Sequence, residues 1–416
     1  MPDLTVFTRP DRALPERSSG LHIAYLSTYP PRECGLATFC EDLLKATALS
    51  DGAAAPMVVA MEREGLRYRY QWPVSRTIDD HDPDDYEAAA HFLNRSSADV
   101  VSLQHEFGIY GGREIEGICR FLETIEKPVV STLHTVLPQP DAMMRSMIRR
   151  LAQRSERVVV FNDFATDLLE EVYGVARSKV VMVHHGAPAP HPQGRAEARA
   201  RLGLSDRRVI STFGLISRGK GIEYALAALP ALRKRHPEVL YLIIGETHPG
   251  VRQWEKESYR EELARFVNEN DLQDSVHFVN HYLTKPEIIS YLAATDVYLT
   301  PYLDPHQIVS GTLAYAAAAG CAVVSTPYLY ARFLLHDGRG TLVGFRNHEA
   351  IAEAVTRILD EPALQQELQA RTLAYGQQML WPAVGARYHQ LFSQVVRQAA
   401  ARHVASAETL PVWSRV

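Results

Sequence analysis

Cysteine is scarce: four residues in 416, Cys34, Cys40, Cys119 and Cys321, scattered without a CxxC pair. That spacing argues against a disulfide framework and a zinc site, and it reads as lone buried thiols in a reducing compartment. Long apolar runs are missing too. The first twenty residues, MPDLTVFTRPDRALPERSSG, are polar with no apolar core of signal-peptide length, and no later run approaches membrane-spanning length. A cytoplasmic protein is the expectation. Nor is there a basic excess, since 44 Lys and Arg stand against 49 Asp and Glu, a formal net charge of −5. No nucleic acid held by bulk electrostatics is therefore expected, and any anion must be gripped locally. No repeat of solenoid length recurs. No G-x-G-x-x-G fingerprint follows the first strand of either half, which disfavours a nicotinamide-dependent dehydrogenase.

What is present is alternation. From His22 the chain reads HIAYLST, PMVVAM, ADVVSLQ, KPVVSTLH, RVVVFN and KVVMVHHG, Val/Ile/Leu-rich runs separated by helical patterns such as FCEDLLKATAL. Continuous apolar runs between amphipathic helices predict parallel strands buried on both faces. The pattern breaks at APAPHPQGRAEARARLGLSD and restarts with RVISTFGLI, VLYLIIGE, SVHFVNHY, DVYLTPY and AVVSTP. A chain of this length suits two α/β cores with a cleft between them. The expected organisation is a flexible N-terminus at 1–20, a Rossmann-like domain at 21–190, a linker at 191–206, a second Rossmann-like domain at 207–376, a long amphipathic helix at 377–403 and a flexible tail at 404–416.

The most informative segment is Thr295–Pro327, TDVYLTPYLDPHQIVSGTLAYAAAAGCAVVSTP, a strand, a polar loop, a small-residue helix and a second strand. A Ser/Gly/Thr loop at a helix N-terminus leaves backbone N–H groups free with the positive end of the helix dipole behind them. Ser310, Gly311 and Thr312 thus form a seat for an anion, most often a phosphate.

From YLSTYPPRECGLATF through FGLISRGKGIEYAL to the final WPAV helix, the chain resembles the GT-B glycosyltransferases, and specifically glycosyltransferase family 4. The resemblance implies two Rossmann-like doubly wound domains facing a central cleft, acceptor mainly on the first and donor mainly on the second, with the last helix crossing back to the first. It also implies retention of anomeric configuration, a nucleotide-sugar donor, a saccharide or other hydroxyl acceptor, and no required metal or other cofactor. Gly35 falls at the family's glycine loop, where the missing Cβ lets backbone approach a donor phosphate, and Arg32 and Thr38 are nearby candidates for phosphate or acceptor contacts. His134, in VVSTLHTVL, matches the family position beneath the donor sugar, and Lys220 matches the diphosphate-binding lysine of the family's G-R-L-x-x-x-K-G pattern.

Two departures stand out. The family arginine after the glycine is Leu215 here, leaving Arg218 as the nearest cation that could substitute. The family's two glutamates separated by seven residues, one on the sugar and one on the nucleotide ribose, are Gln307 and Tyr315. Gln307 can still hydrogen-bond a sugar hydroxyl, whereas Tyr315 cannot accept both hydroxyls of a ribose diol as a carboxylate does. Outside the family motifs, His105 and Glu106 end a strand at the sheet edge where ligands bind and are expected to recognise acceptor. Glu246 and His248 are candidates for donor sugar or nucleotide, with Tyr259 and Arg260 beside them in open roles, while His184 and His185 read as strand caps. The stretch 142–157, with five arginines, suits either a solvated helix face or a weak peripheral contact with an anionic bilayer.

The leading expectation is a retaining hexosyltransferase using a nucleotide-diphosphate sugar. No glycosidase-type carboxylate dyad is evident. The altered pair leaves two alternatives open: a glycoside phosphorylase on the same fold, using a sugar 1-phosphate, and a sugar-binding protein without catalysis.

Overall fold

Segments such as IAYLS and VVSTL are buried at every position, which requires cover on both faces of the sheet that contains them. In the computed structural model, which describes residues 20–50, 52–63, 67–111 and 115–408, two parallel sheets meet that requirement. Of the expected flexible ends, 1–20 and 404–416, residues 1–19 and 409–416 lie outside the described residues. The first sheet comprises β1 (Ile23–Ser27), β2 (Met57–Glu62), β3 (Val74–Asp79), β4 (Val100–His105), β5 (Val129–Leu133), β6 (Arg157–Val160) and β7 (Val180–Met182), in the order β3-β2-β1-β4-β5-β6-β7. The second comprises β8 (Arg208–Phe213), β9 (Val239–Ile244), β10 (Val276–Val279), β11 (Val297–Thr300), β12 (Ala322–Ser325) and β13 (Thr341–Leu342), in the order β10-β9-β8-β11-β12-β13. Each is doubly wound, with its order reversing beside its first strand, between β1 and β4 and between β8 and β11. Ligands of such sheets bind at the strand C-termini near that switch point.

The stretch 191–206 is largely ordered as a helix, Gly194–Leu202, ended by Gly203 in a left-handed conformation. It belongs to the second domain. Arg195 and Arg199 both donate to Asp296, which is 2% exposed and also accepts the Val209 N–H at 2.7 Å. Beyond the second sheet, the helix Trp381–Glu408 runs past the expected end at 403 and lies on the first domain. Its Gly385 packs so tightly on the helix Gly35–Ala48 that a Cβ would stand 2.5 Å from the Ala46 carbonyl carbon. Tyr388 reaches Thr132 at 3.2 Å and Arg157 donates to Gln398 at 3.3 Å. Among the described residues no helix is long and apolar enough to cross a membrane.

Candidate active site in the interdomain cleft

The C-terminal ends of both sheets face each other across a cavity of about 890 Å³. The first domain lines it with the loop Pro30–Gly35, the first turns of the helix Gly35–Ala48, and two strand-end histidines, His134 and His185. Its opposite wall is Phe213, Leu215, Lys220, Glu246, His248, Leu283 and the start of the helix Gly311–Ala318. Contacts across the opening hold the domains together: Thr38 Oγ1 lies 3.1 Å from Tyr282 Oη, and Lys285 pairs with Glu41 at 3.3 Å and with Asp42. Asp42 also lies 3.4 Å from the Tyr315 hydroxyl.

Among the described residues four cations line this cavity, and two of them have carboxylate partners. Lys45 pairs with Glu41, and Lys285 with Glu41 and Asp42. Lys220 and Arg32, one from each domain, pair with no carboxylate among the described residues; Arg32 only reaches the Met61 carbonyl at 3.5 Å. Lys220 is nonetheless held in place. Its Nζ receives no counter-charge but donates to the Tyr302 hydroxyl at 2.7 Å, above that ring, and Tyr302 lies 2.8 Å from Thr312 Oγ1. The loop that carries Lys220 closes on Gly221, whose φ of +62° excludes most side chains and whose Cβ would stand 2.1 Å from the Pro301 carbonyl oxygen. The anchored ammonium and the Gly311 helix start are thereby tied through one hydrogen-bond chain. Ser310 caps that helix by accepting the Leu313 N–H at 3.3 Å. Gly311 and Thr312 line the cavity, whereas Ser310 itself does not, and the amides of the first turn are available to an anion. Gly35 opens the other helix, behind the Cys34 cap.

The histidine edge is uncharged. His134 donates Nε2–H to Gln104 Oε1 at 3.0 Å and lies edge-on to Phe39, and burial beside the His185 and His105 imidazoles holds its pKa well below the usual histidine value. His185 touches Phe39 and Phe161, and burial pushes its pKa down to about 4. It was read from the sequence as a strand cap, yet it lines the cavity. The signal that would have found it is positional: β4, β5 and β7 all end at or close before a histidine on the same edge of one sheet.

Other expected site residues are placed differently. The structure does not bring Arg218 to the cavity; its guanidinium is committed to Glu262 at 2.7 Å and Glu255 at 3.0 Å on the exposed side of its loop. Gln307 is not on the wall either, because its amide turns back to donate to the Val309 carbonyl at 3.0 Å. His105 is buried and stacked on Tyr110, with burial pushing its pKa down to about 3. Glu106 accepts from Thr135 and from the Phe107 N–H at 3.0 Å, so these two brace the edge beside His134 and neither lines the cavity. Tyr315 does line the cavity, as do Glu246, tied to Arg252 at 3.3 Å, and His248, whose Nδ1 accepts the Gly250 N–H at 3.1 Å. Tyr259 donates to Glu223, and Arg260 to the Gly245 carbonyl at 2.8 Å, both supporting the loops behind the wall. In the basic stretch 142–157, Arg149, Arg150, Arg154 and Arg157 all have partners within the fold.

Two parallel α/β domains, a switch-point cleft and a returning C-terminal helix define the GT-B architecture. Comparison with known proteins is consistent with it. The family described as Glycosyltransferase Family 4 matches residues 46–189, and that described as Glycosyl transferases group 1 matches residues 207–361. A D-inositol 3-phosphate glycosyltransferase of Kineococcus radiotolerans is 26% identical over 317 residues, 66% of this chain and 68% of that protein. A second protein of that name, from a Nocardioides strain, is 26% identical over 61% of this chain and 59% of its own length. Among solved structures, Anabaena HepE in complex with UDP and glucose superposes with a TM-score of 0.70 at 15% identity, covering 90% of this chain and all of that one. The chain has the GT-B fold and resembles the glycosyltransferases of family 4.

Proposed function

We propose that the protein transfers a hexose from a nucleotide-diphosphate sugar to a hydroxyl of a saccharide acceptor, with retention of configuration and without a metal. The observation that carries this reading is Lys220, an ammonium with no carboxylate partner among the described residues, tethered through Tyr302 to Thr312 and facing the interdomain cavity. The diphosphate charge then falls to Lys220, to Arg32 across the cleft, and to the free amides at Gly311, Thr312 and Gly35. Such groups stabilise charge as it grows on the departing phosphate.

The sugar lies towards His134 and His185. Because both rings are neutral, neither repels the positive charge that develops at the anomeric carbon. The bond from that carbon to the phosphate oxygen breaks, the acceptor oxygen bonds on the same face, and its proton passes to the leaving phosphate. No side-chain nucleophile is needed, and positioning supplies much of the rate. Cytoplasmic location belongs to the same reading. The names of the relatives support the reaction class, and HepE is a structural neighbour that binds UDP and glucose.

A second reading, a glycoside phosphorylase, is favoured by one observation: the Tyr315 hydroxyl is turned to Asp42, so position 315 offers no carboxylate to a ribose diol. Calorimetric titration with UDP, GDP, ADP and inorganic phosphate, each with and without glucose 1-phosphate or mannose 1-phosphate, separates the two. Tight binding of one nucleotide is the expected outcome. A response to phosphate or sugar phosphate alone would replace the transferase with the phosphorylase.

A further inference from the structure

We propose that His185 is a sugar-recognition residue, its Nε2 lone pair accepting a hydrogen bond from a hydroxyl of the hexose held over the start of the Gly311 helix. The inference rests on the transferase reading above and assigns a residue that the motifs leave out. Its first support is the tautomer. His185 Nδ1 stands 2.8 Å from the Gly186 carbonyl oxygen, which can only accept, so the ring proton is on Nδ1. A neutral ring then leaves Nε2 as an acceptor, and burial keeps the ring neutral across the physiological range.

The second support is placement. His185 belongs to the first domain, yet its ring abuts the second: a Cβ on Gly311 would stand 3.0 Å from His185 Cε1 and 3.1 Å from Nε2. Any side chain at position 311 would push the ring back by a few tenths of an ångström, so glycine there lets it sit this close to the anion seat. Phe39 at 5.1 Å, Phe161 at 5.4 Å and Tyr315 at 6.4 Å between ring centroids keep it from swinging away. Behind it the Trp381 indole presses on Gly186, where a Cβ would meet the ring at 2.4 Å. This fixed side chain is 8% exposed, lines the cavity, and has no hydrogen bond to Nε2 among the described residues.

The third support is chemical selectivity. An acceptor that opens on the cavity with no protein donor is free to take a hydrogen bond from a ligand hydroxyl. A deprotonated phosphate oxygen would instead set lone pair against lone pair. The Nε2 site therefore suits the sugar and not the diphosphate that the neighbouring amides hold. His134 has the matching arrangement: its Nε2–H is given to Gln104, whose own Nε2 donates to Ser102 Oγ at 3.0 Å, leaving Nδ1 as the second acceptor. Both rings grip Phe39, at 4.8 and 5.1 Å. A hexose seated on the second domain is thus read from the first by two imidazole acceptors.

The test compares each sugar-bearing ligand with its sugar-free counterpart: UDP-glucose with UDP, GDP-mannose with GDP, and glucose or mannose 1-phosphate with inorganic phosphate. In His185→Phe, which keeps a ring but removes the acceptor, affinity for the preferred sugar-bearing ligand should fall at least about tenfold. Affinity for the sugar-free counterpart should stay within about twofold, and His185→Gln should recover part of the loss. Equal weakening of both ligands, or none, overturns the assignment. In wild-type protein labelled at histidine, the ¹⁵N shift of His185 Nε2 should move with the sugar-bearing ligand and not with its counterpart. Identical responses also overturn it, without requiring any variant to fold. A wild type that ignores every nucleotide but prefers a sugar phosphate over phosphate defeats the transferase reading while leaving His185 to be judged by the same ratio. A wild type with no such preference for any sugar-bearing ligand overturns the inference itself.

Discussion

The two domains share one winding rule and have different chemistry. Both place their first strand at the switch point and a helix start at the cleft, yet the first domain ends its strands in neutral imidazoles, whereas the second presents an anchored ammonium and a Ser-Gly-Thr helix start. Duplicated architecture thus leaves the work of each half to a few loop residues. The physical reason is that strand and helix interiors answer to packing, while the C-terminal loops answer only to what they must contact. In this cleft the second domain contributes an anchored ammonium beside a helix start, whereas the first contributes Arg32 and the imidazoles to which hydroxyl recognition is assigned.

Breaking the contrast most severely should be Asp296→Ala. It strands Arg195 and Arg199 beside a buried edge and frees the helix Gly194–Leu202. A loss of about 3–5 kcal/mol is expected, confined to the second domain, so calorimetric unfolding should split with the second domain melting first. A single unsplit transition at the wild-type temperature would refute the attachment.

Lys220→Ala should cost about 10²–10³-fold in turnover, as for the loss of one charge-stabilising group, with the melting temperature little changed. Wild-type turnover would remove Lys220 from the reaction. His134→Ala should lower turnover by about 10²-fold on the same grounds, read as rate loss without a comparable loss of nucleotide affinity.

Acid should discriminate between the halves more gently. His105 and His185 have folded pKa values pushed down to about 3 and about 4 from 6.5. Above about 6.5 both folded and unfolded rings are neutral and contribute no pH dependence. As pH falls from there towards 4, the unfolded chain takes up protons that the folded first domain refuses, so its stability declines. Denaturant midpoints measured at pH 7.5 and pH 4.5 should therefore drop for the first domain, and His105→Phe should flatten the drop. A midpoint independent of that substitution would count against the imidazoles as the cause.

Arg218→Ala should do least. Its ion pairs are exposed, so below about 1 kcal/mol of stability and less than about threefold in turnover are expected. A large loss of turnover would reinstate Arg218 as the substitute for the cation missing at Leu215.

Eleven of the thirteen strands were legible as apolar runs. The two that were not are edge strands: β3, with the half-polar run VSRTID, and β13, only two residues long. An edge strand is covered on fewer sides, so its sequence need not be continuously apolar. Lys220, His134, Gly35, Gly311 and Thr312, singled out from motifs, all line the cavity. Arg218, Gln307, His105 and Glu106 do not, since each found an internal or surface partner that no spacing rule foretells.

By itself, then, the sequence determined the winding, the two-domain division and the Ser-Gly-Thr helix start at the cleft, because each is written in local periodicity and capping residues. Only the tertiary structure decided which cations are left without counter-charges, and that a histidine of the first domain rests against a glycine of the second. Both depend on partners far away along the chain and brought together by closure of the cleft.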